Sequence, residues 1–454
     1  MVSANDRFYS YLTEAIGAGN AAVALSALEE PASVSVRLNP FKCPPDLKKT
    51  VFPDSAPVPW SEYGLMLPER PAFTLDPLFH AGCYYVQDSS SMFVGHVLRR
   101  ILEKSGYRRT LRVLDLCAAP GGKTTDASAS LRQACGNGFL LVSNEVIRQR
   151  AGVLVSNVAL WGDPNVAVIS ADPAEVGRME GFFDIILADV PCSGEGMFRK
   201  DAEAVAQWSE EKVAHCVARQ RRILADMWPA LAEGGFLIYS TCTFNRHEND
   251  GNVSWAMDEL GAGTVRLEDR HPGDGVLQTE YGYSLVPGFV KGEGQYCAVL
   301  EKTSGHPRAE VKPAGKKSVV PEAEEFFDMP VRGIMKGDLI KAWPENVADD
   351  MAFLENKVRV LSSGCAVGRR KGRDLVPDAD LALDICLGKD AFPRVDTDRM
   401  TALKFLHRDT LVLPDAPAGF VLVSYSGVPL GFVKNLGTRC NNLHPQERRI
   451  RMDV

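Results

Sequence analysis

The chain has 454 residues, more than one compact domain holds and suited to two or three. With 45% hydrophobic and 24% charged residues it has the makeup of a soluble globular protein, which argues against disorder. The net charge of −7 excludes a uniformly basic nucleic-acid binder, although residues 331–454 are mildly basic and the rest carries the acidic excess.

The first residues carry Asp6 and Arg7 and lack the apolar core of a signal peptide. No apolar run reaches the roughly 18 residues needed to span a bilayer, so no membrane partner is expected and the cytoplasm is the expected compartment. Eleven cysteines, an odd number scattered widely, point to reduced thiols, and no Cys/His spacing suits zinc, so no metal is expected.

Apolar spacing predicts a helix over residues 8–30, and Ser33–Leu38 alternates as a strand does. Residues 40–77, rich in proline, read as irregular with short strands at most. From 111 to 300 strand-like and helical runs alternate. The strands are Leu111–Leu116, Gly138–Asn144, Val166–Ser170, Phe183–Ala188, Phe236–Tyr239 and Gln295–Leu300, with helices at 145–160 and 201–232 among those between them. This alternation predicts an α/β fold with a parallel, doubly wound, Rossmann-like sheet. Residues 302–325, rich in Lys, Pro, Gly, Ser and Ala, read as a linker. Beyond it, runs such as Gly419–Val423 and Val428–Val433 predict a small β-rich module.

The run Leu111 to Thr125 is a buried strand, a glycine turn and a helix start. Gly121 and Gly122 allow a tight turn and close backbone approach, and the N–H groups that follow can bind an anion. A P-loop would need glycine where Cys117 stands, and a dinucleotide site would need GxGxxG. The third reading is an S-adenosylmethionine site. Glu145 closes the second strand, where an acid takes ribose hydroxyls, and Asp172 closes the third, placed for the adenine amine.

Cys192, in Asp189-Val190-Pro191-Cys192-Ser193-Gly194, and Cys242, in Ser240-Thr241-Cys242-Thr243, each follow a strand. Strand C-termini are where open α/β sheets do chemistry. A thiolate that adds to cytosine C6 makes C5 able to attack a methyl sulfonium, and a second group must then help the C5 proton leave. Asp189 could hold N3 and the amino group of the base. The residues leave open which thiol attacks. Cys117 reads as a wall of the cofactor turn, and the remaining cysteines read mainly as small buried hydrophobes.

The chain resembles the Nop/Sun family of RNA cytosine-5 methyltransferases. The stretches that carry the resemblance are Ser35–Pro40, Tyr84–Ser91, Leu116–Thr124, Asp189–Phe198 and Tyr239–Thr243, and together they span about residues 1–300. Val190 departs from the usual Asp-Ala-Pro-Cys, a change that leaves the chemistry intact. The resemblance implies a class I S-adenosylmethionine-dependent core and a reaction at cytosine C5. It also implies that Cys242 is the nucleophile, that Cys192 aids product release, and that Asp189 contacts the base. Cofactor contacts implied are Cys117, Ala118, Ala119, Pro120, Gly121, Gly122, Lys123, Glu145, Asp172 and Asp189. Gly194–Arg199 and the long C-terminal extension look like the branch that modifies small-subunit ribosomal RNA, which implies 16S ribosomal RNA as the partner.

The expected domains are an N-terminal α+β RNA-binding extension (1–110), the methyltransferase core (111–302), a linker (303–325), an intermediate module (326–390) and a PUA-like RNA-binding module (391–454). Candidate phosphate contacts are Arg369, Arg370, Lys371, Arg373, Arg439, Arg448, Arg449 and Arg451.

Overall fold

A computed structural model describes residues 6–43, 50–107, 109–267, 275–314, 320–372 and 374–453. Five parallel strands form the centre of a ten-stranded sheet: β1 (Leu111–Asp115), β2 (Phe139–Asn144), β3 (Val166–Ile169), β4 (Phe183–Asp189) and β5 (Leu231–Thr241), in the spatial order β3-β2-β1-β4-β5. β1 to β4 are largely runs of Val, Leu, Ile and Phe buried on both faces, and Leu237–Tyr239 of β5 is buried likewise, the pattern that a parallel sheet covered by helices demands. Side chains alternate between two cores. Leu114, Val142, Ile186 and Leu237 pack in one, while Val113, Leu141, Ile185 and Ile238 pack in the other.

The sheet is mixed rather than wholly parallel. Gln295–Lys302 runs antiparallel along β5 and carries Gly282–Leu285 and Ala262–Thr264 beside it. At the opposite edge Val360–Ser363 pairs antiparallel with β3. The helix Ala348–Lys357 before that strand buries Met351 and Leu354 in the first core. Arg112 on β1 pairs with Asp350 of this helix at 2.9 Å, with both side chains nearly buried. Within 303–325, Arg308 pairs with Asp184 of β4 at 2.8 Å and Arg112 donates to the Ala309 carbonyl, so these residues lie against the core; 315–319 are outside the described residues.

The predicted helix over 8–30 is two helices, Asp6–Ile16 and Ala18–Leu28, because Gly17 between them takes φ 83°. The predicted helix over 201–232 is likewise divided into Ala202–Ala206 and Glu210–Met227, the second capped by Ser209, and β5 already starts at Leu231. Residues 40–77 hold a seven-residue strand, Ser61–Leu67, longer than the proline content suggested. It joins Val34–Leu38, Tyr84–Val86 and Ala56–Val58 in a four-stranded sheet.

That N-terminal sheet is fastened to the core by Arg37, which is 1% exposed. Its guanidinium donates to Gln87 Oε1 at 2.8 Å and to Thr125 Oγ1 at 2.6 Å. Asn39 donates to the carbonyls of Gly82 and Trp161, both at 3.1 Å. The C-terminal sheet (Arg394–Thr397, Gly419–Tyr425, Val428–Asn435, Cys440–Asn442) shares a core with this N-terminal sheet, where Phe405 and Val421 pack with Leu65 and Phe73.

Candidate active site

The C-terminal ends of β1, β2, β4 and β5 converge. β1 ends in Asp115, fully buried, which accepts from Thr124 Oγ1 at 2.7 Å while its Oδ1 has no partner among the described residues. Burial pushes this carboxyl up to about 7. The chain then turns at Gly121, φ 114°, a left-handed conformation that favours glycine, and the helix Gly122–Cys135 begins. Ala118 and Ala119 are buried, Pro120 follows a cis peptide bond, and Cys117 is a wall whose thiol is pushed up by burial.

A cleft opens beside this turn, lined by Cys117, Glu145, Asp172, Pro191, Arg219 and Arg222, among others. Glu145 is 3% exposed. It accepts from the Ile147 N–H at 2.9 Å and pairs with Arg150 at 3.4 Å. Asp172 caps the helix Pro173–Gly177 and is exposed at the rim. One cleft therefore gathers the three residues that sequence placed at three separate strand ends.

β4 and β5 are neighbours in register, Asp189 beside Ser240, so the thiols that follow them meet: Cys192 Sγ and Cys242 Sγ lie 3.2 Å apart. The hydrogen bond to Cys242, and then burial, hold the Cys192 thiol well above its ordinary range. Next to the pair, Lys123 bonds Asp189 Oδ2 at 2.9 Å and donates to Ser91 Oγ at 3.1 Å. Burial alone would lower Lys123. The charge of Asp189 and its hydrogen bond to Lys123 more than offset it, so the ammonium is held charged. Asp189 Oδ1 accepts from Ser240 Oγ at 2.8 Å and from Gln295 Nε2 at 3.2 Å.

The basic residues singled out in the sequence are not gathered at this centre. Arg369, Arg370 and Lys371 are exposed on the strand Cys365–Lys371, where Arg369 pairs with Asp338 and Arg370 with Glu322. Arg448 pairs with Asp380, whereas Arg439, Arg449 and Arg451 are exposed. Arg373 lies outside the described residues. The acid that ends the first strand, Asp115, is part of the sequence pattern but is not among the site residues named from it. Sequence reading passed over Arg219 and Arg222, one turn apart on Glu210–Met227, and gave no role to two buried glutamates: Glu195, which lies within the stretch Asp189–Phe198, and Glu248, which no local pattern marks. Among the described residues no three His, Cys, Asp or Glu side chains are grouped to hold a metal, and no helix is long and apolar enough to cross a membrane.

A Rossmann-like sheet with a glycine turn after β1 and acids after β2 and β3 defines a methyltransferase. Family models match the chain in three stretches: the N-terminal domain of 16S rRNA methyltransferase RsmF over residues 5–89, 16S rRNA methyltransferase RsmB/F over 107–301, and the methyltransferase RsmF PUA domain over 392–450. Ribosomal RNA small subunit methyltransferase F of Escherichia coli O127:H6 is 31% identical, covering 93% of this chain and 91% of the relative. The protein of the same name from Serratia proteamaculans is 30% identical over the same shares. A methyltransferase homolog from Pyrococcus horikoshii shares the fold, with TM-score 0.55 and 26% identity over 66% of this chain and 95% of its own. NSun6 from Pyrococcus horikoshii, solved with SFG, gives TM-score 0.54 and 18% identity over 65% and 98%. The chain belongs to the RsmF family of 16S rRNA methyltransferases.

Proposed function

We propose that the protein transfers a methyl group from S-adenosylmethionine to C5 of a cytosine in 16S ribosomal RNA, through a covalent bond between Cys242 and cytosine C6 that is broken with help from Cys192. The observation that carries this reading is the 3.2 Å contact between two free thiols at adjacent parallel strand ends.

The cleft suits the cofactor. It has an unpartnered buried carboxylate oxygen on Asp115 behind it, a buried acid for ribose hydroxyls in Glu145, and an exposed acid at the rim in Asp172. The turn 117–123, Glu145, Asp172 and Asp189 would hold it. When bound, it supplies a methyl on a sulfonium, the electrophile that C5 needs.

The chain's own residues do the rest. The hydrogen bond between the sulfurs keeps the proton on Cys192, and the attack proceeds from Cys242 in its thiolate form. The Cys242 sulfur adds to C6, forming a C–S bond and moving the C5–C6 electron pair onto C5. Asp189, fixed by Lys123, Ser240 and Gln295, holds the polar edge of the base in one orientation. Once Cys242 no longer accepts its proton, Cys192 loses it to solvent and takes the C5 proton. The electron pair returns to the ring and expels Cys242 as thiolate.

The PUA module and the N-terminal sheet, packed on one core, are read as the RNA-docking part of the molecule. The test is trapping on a denaturing gel with 16S RNA and cofactor. Cys192→Ala accumulates a protein–RNA adduct and Cys242→Ala forms none. The reverse pattern would overturn the assignment, and bisulfite mapping of the RNA checks that the product is 5-methylcytosine.

A further inference from the structure

Two glutamates below the thiols, Glu195 and Glu248, are both 0% exposed and neither belongs to the reaction just described. Each sits on one thiol loop and bonds the other. Glu195, three residues after Cys192, accepts from the backbone N–H of Phe244 at 2.6 Å and of Asn245 at 3.1 Å, in the loop after Cys242. Glu248, six residues after Cys242, accepts from the backbone N–H of Ser193 at 3.0 Å, directly after Cys192. Asn245 Nδ2 donates to both carboxylates at 2.8 Å, and the Ser193 and Thr243 hydroxyls share a hydrogen bond of 2.9 Å.

We infer that this crossed pair of carboxylates is a positioning device that keeps Cys192 within reach of Cys242, and that Glu248 in particular serves the release step. The inference rests on the covalent reading above. Strand pairing brings the two loops together, but two side chains on separate loops must be held to within a fraction of an ångström, and each loop is anchored by the other's acid.

The chemistry requires acceptors. Every partner of Glu248 in this network is a donor: the Ser193 N–H, Asn245 Nδ2 and Gln220 Nε2, the last at 2.7 Å. These amides cannot turn round. Gln220 Oε1 already accepts from Asn252 Nδ2 at 2.6 Å, and Asn245 Oδ1 accepts from the Glu248 N–H at 2.9 Å. A glutamine at 248 would therefore set donor against donor. Burial, and then the charge of Glu195, raise the Glu248 carboxyl. The two anchors are not equivalent for the reaction. Glu195 and the Gly196 N–H, which donates to the Cys242 carbonyl at 2.8 Å, still hold the attacking loop when Glu248 is replaced. What is lost is the acceptor of the Ser193 N–H, directly after Cys192.

The test compares Glu248→Gln and Ser193→Ala, both with Cys192 and Cys242 intact, against wild type, Cys192→Ala and Cys242→Ala, using full-length protein, 16S RNA and S-adenosylmethionine. Glu248→Gln is expected to keep single-turnover methyl transfer, to lose about 10- to 100-fold in multiple turnover, and to show a covalent adduct on a denaturing gel. Ser193→Ala, which removes the hydroxyl bonded to Thr243 and Glu195 and leaves the Ser193 N–H on Glu248, shifts both readouts the same way by a smaller factor and tests the coupling of the two loops if Glu248→Gln does not fold. Wild-type turnover without adduct in both variants overturns the inference. So does equal loss of first turnover and adduct, which marks a general packing role. If Cys192→Ala itself traps nothing, the covalent reading fails and this inference with it. If Cys192→Ala traps and Glu248→Gln does not, only the inference fails.

Discussion

The backbone N–H of Gly196 donates to the carbonyl oxygen of Cys242 at 2.8 Å, so the loop that follows one thiol is bonded directly to the residue that carries the other. A Cβ at position 196 would stand 2.8 Å from that same oxygen and 3.1 Å from the Glu293 carbonyl. Both are backbone atoms and cannot swing aside. Gly196→Ala is therefore expected to push the two loops apart. Methyl transfer to 16S RNA should fall by about 100-fold while cofactor affinity, measured by calorimetry, stays near wild type.

Glu145 is the buried acid of the cleft, and its carboxylate has only the Ile147 N–H and Arg150 as protein partners among the described residues. Glu145→Ala should weaken S-adenosylmethionine binding by about 10- to 100-fold, as expected for a charged hydrogen-bond acceptor. RNA affinity in a filter-binding assay should change little. An equal loss in both would mean that the substitution damages the fold.

Asp350 neutralises Arg112 across the boundary between the core and residues 326–390. Asp350→Ala leaves a buried guanidinium facing Phe182 without its carboxylate, and should cost about 3 to 5 kcal/mol in urea unfolding. Because Val360–Ser363 extends the sheet beside β3, cutting the chain before residue 326 would strip an edge strand from the core. Point substitutions are the sounder test of RNA binding by the C-terminal part.

Among the exposed arginines, Arg369 and Arg370 face Asp338 and Glu322, whereas Arg449 and Arg451 have no ion pair among the described residues. Replacing Arg449 and Arg451 together by Ala should lower the slope of log affinity against log salt by about 2, roughly one for each phosphate that is no longer neutralised. Replacing Arg369 and Arg370 should change it by less than half as much, because each is already neutralised.

Asp384 is buried, accepts from the Cys386 N–H at 2.8 Å, and is pushed up to about 7 by burial. The folded protein holds this proton where the unfolded chain has released it, so its contribution to stability is present at low pH and is lost as pH rises toward and through 7. Between pH 5 and pH 8 the loss is about 2 to 3 kcal/mol. Asp384→Asn, which keeps the acceptor and cannot ionise, should flatten the dependence of Tm on pH over that interval. A wild-type slope in the variant would show that Asp384 does not carry it.

Much of the core was legible because its physics is local. Buried parallel strands read as unbroken apolar runs, and β1 to β4 lie within two residues of where those runs predict them. The breaks at Gly17 and before Ser209 were missed because helical periodicity continues across them. The edge strand Val360–Ser363 was missed because nothing in four residues names its partner, which is some two hundred residues away. The acids that face Arg369 and Arg370, Asp338 and Glu322, could not be read beside them because they are distant in sequence.

What the chain's residues determined alone is the kind of chemistry available: a glycine turn, acids closing successive strands, and two thiols each following a strand. What only the tertiary structure decided is how those thiols stand to one another. Strand pairing brings Asp189 beside Ser240, and two buried glutamates bond across the loops that follow, so cysteines fifty positions apart come within 3.2 Å. A side chain's type is written at its own position, but its distance to another depends on every hydrogen bond that closes the chain between them.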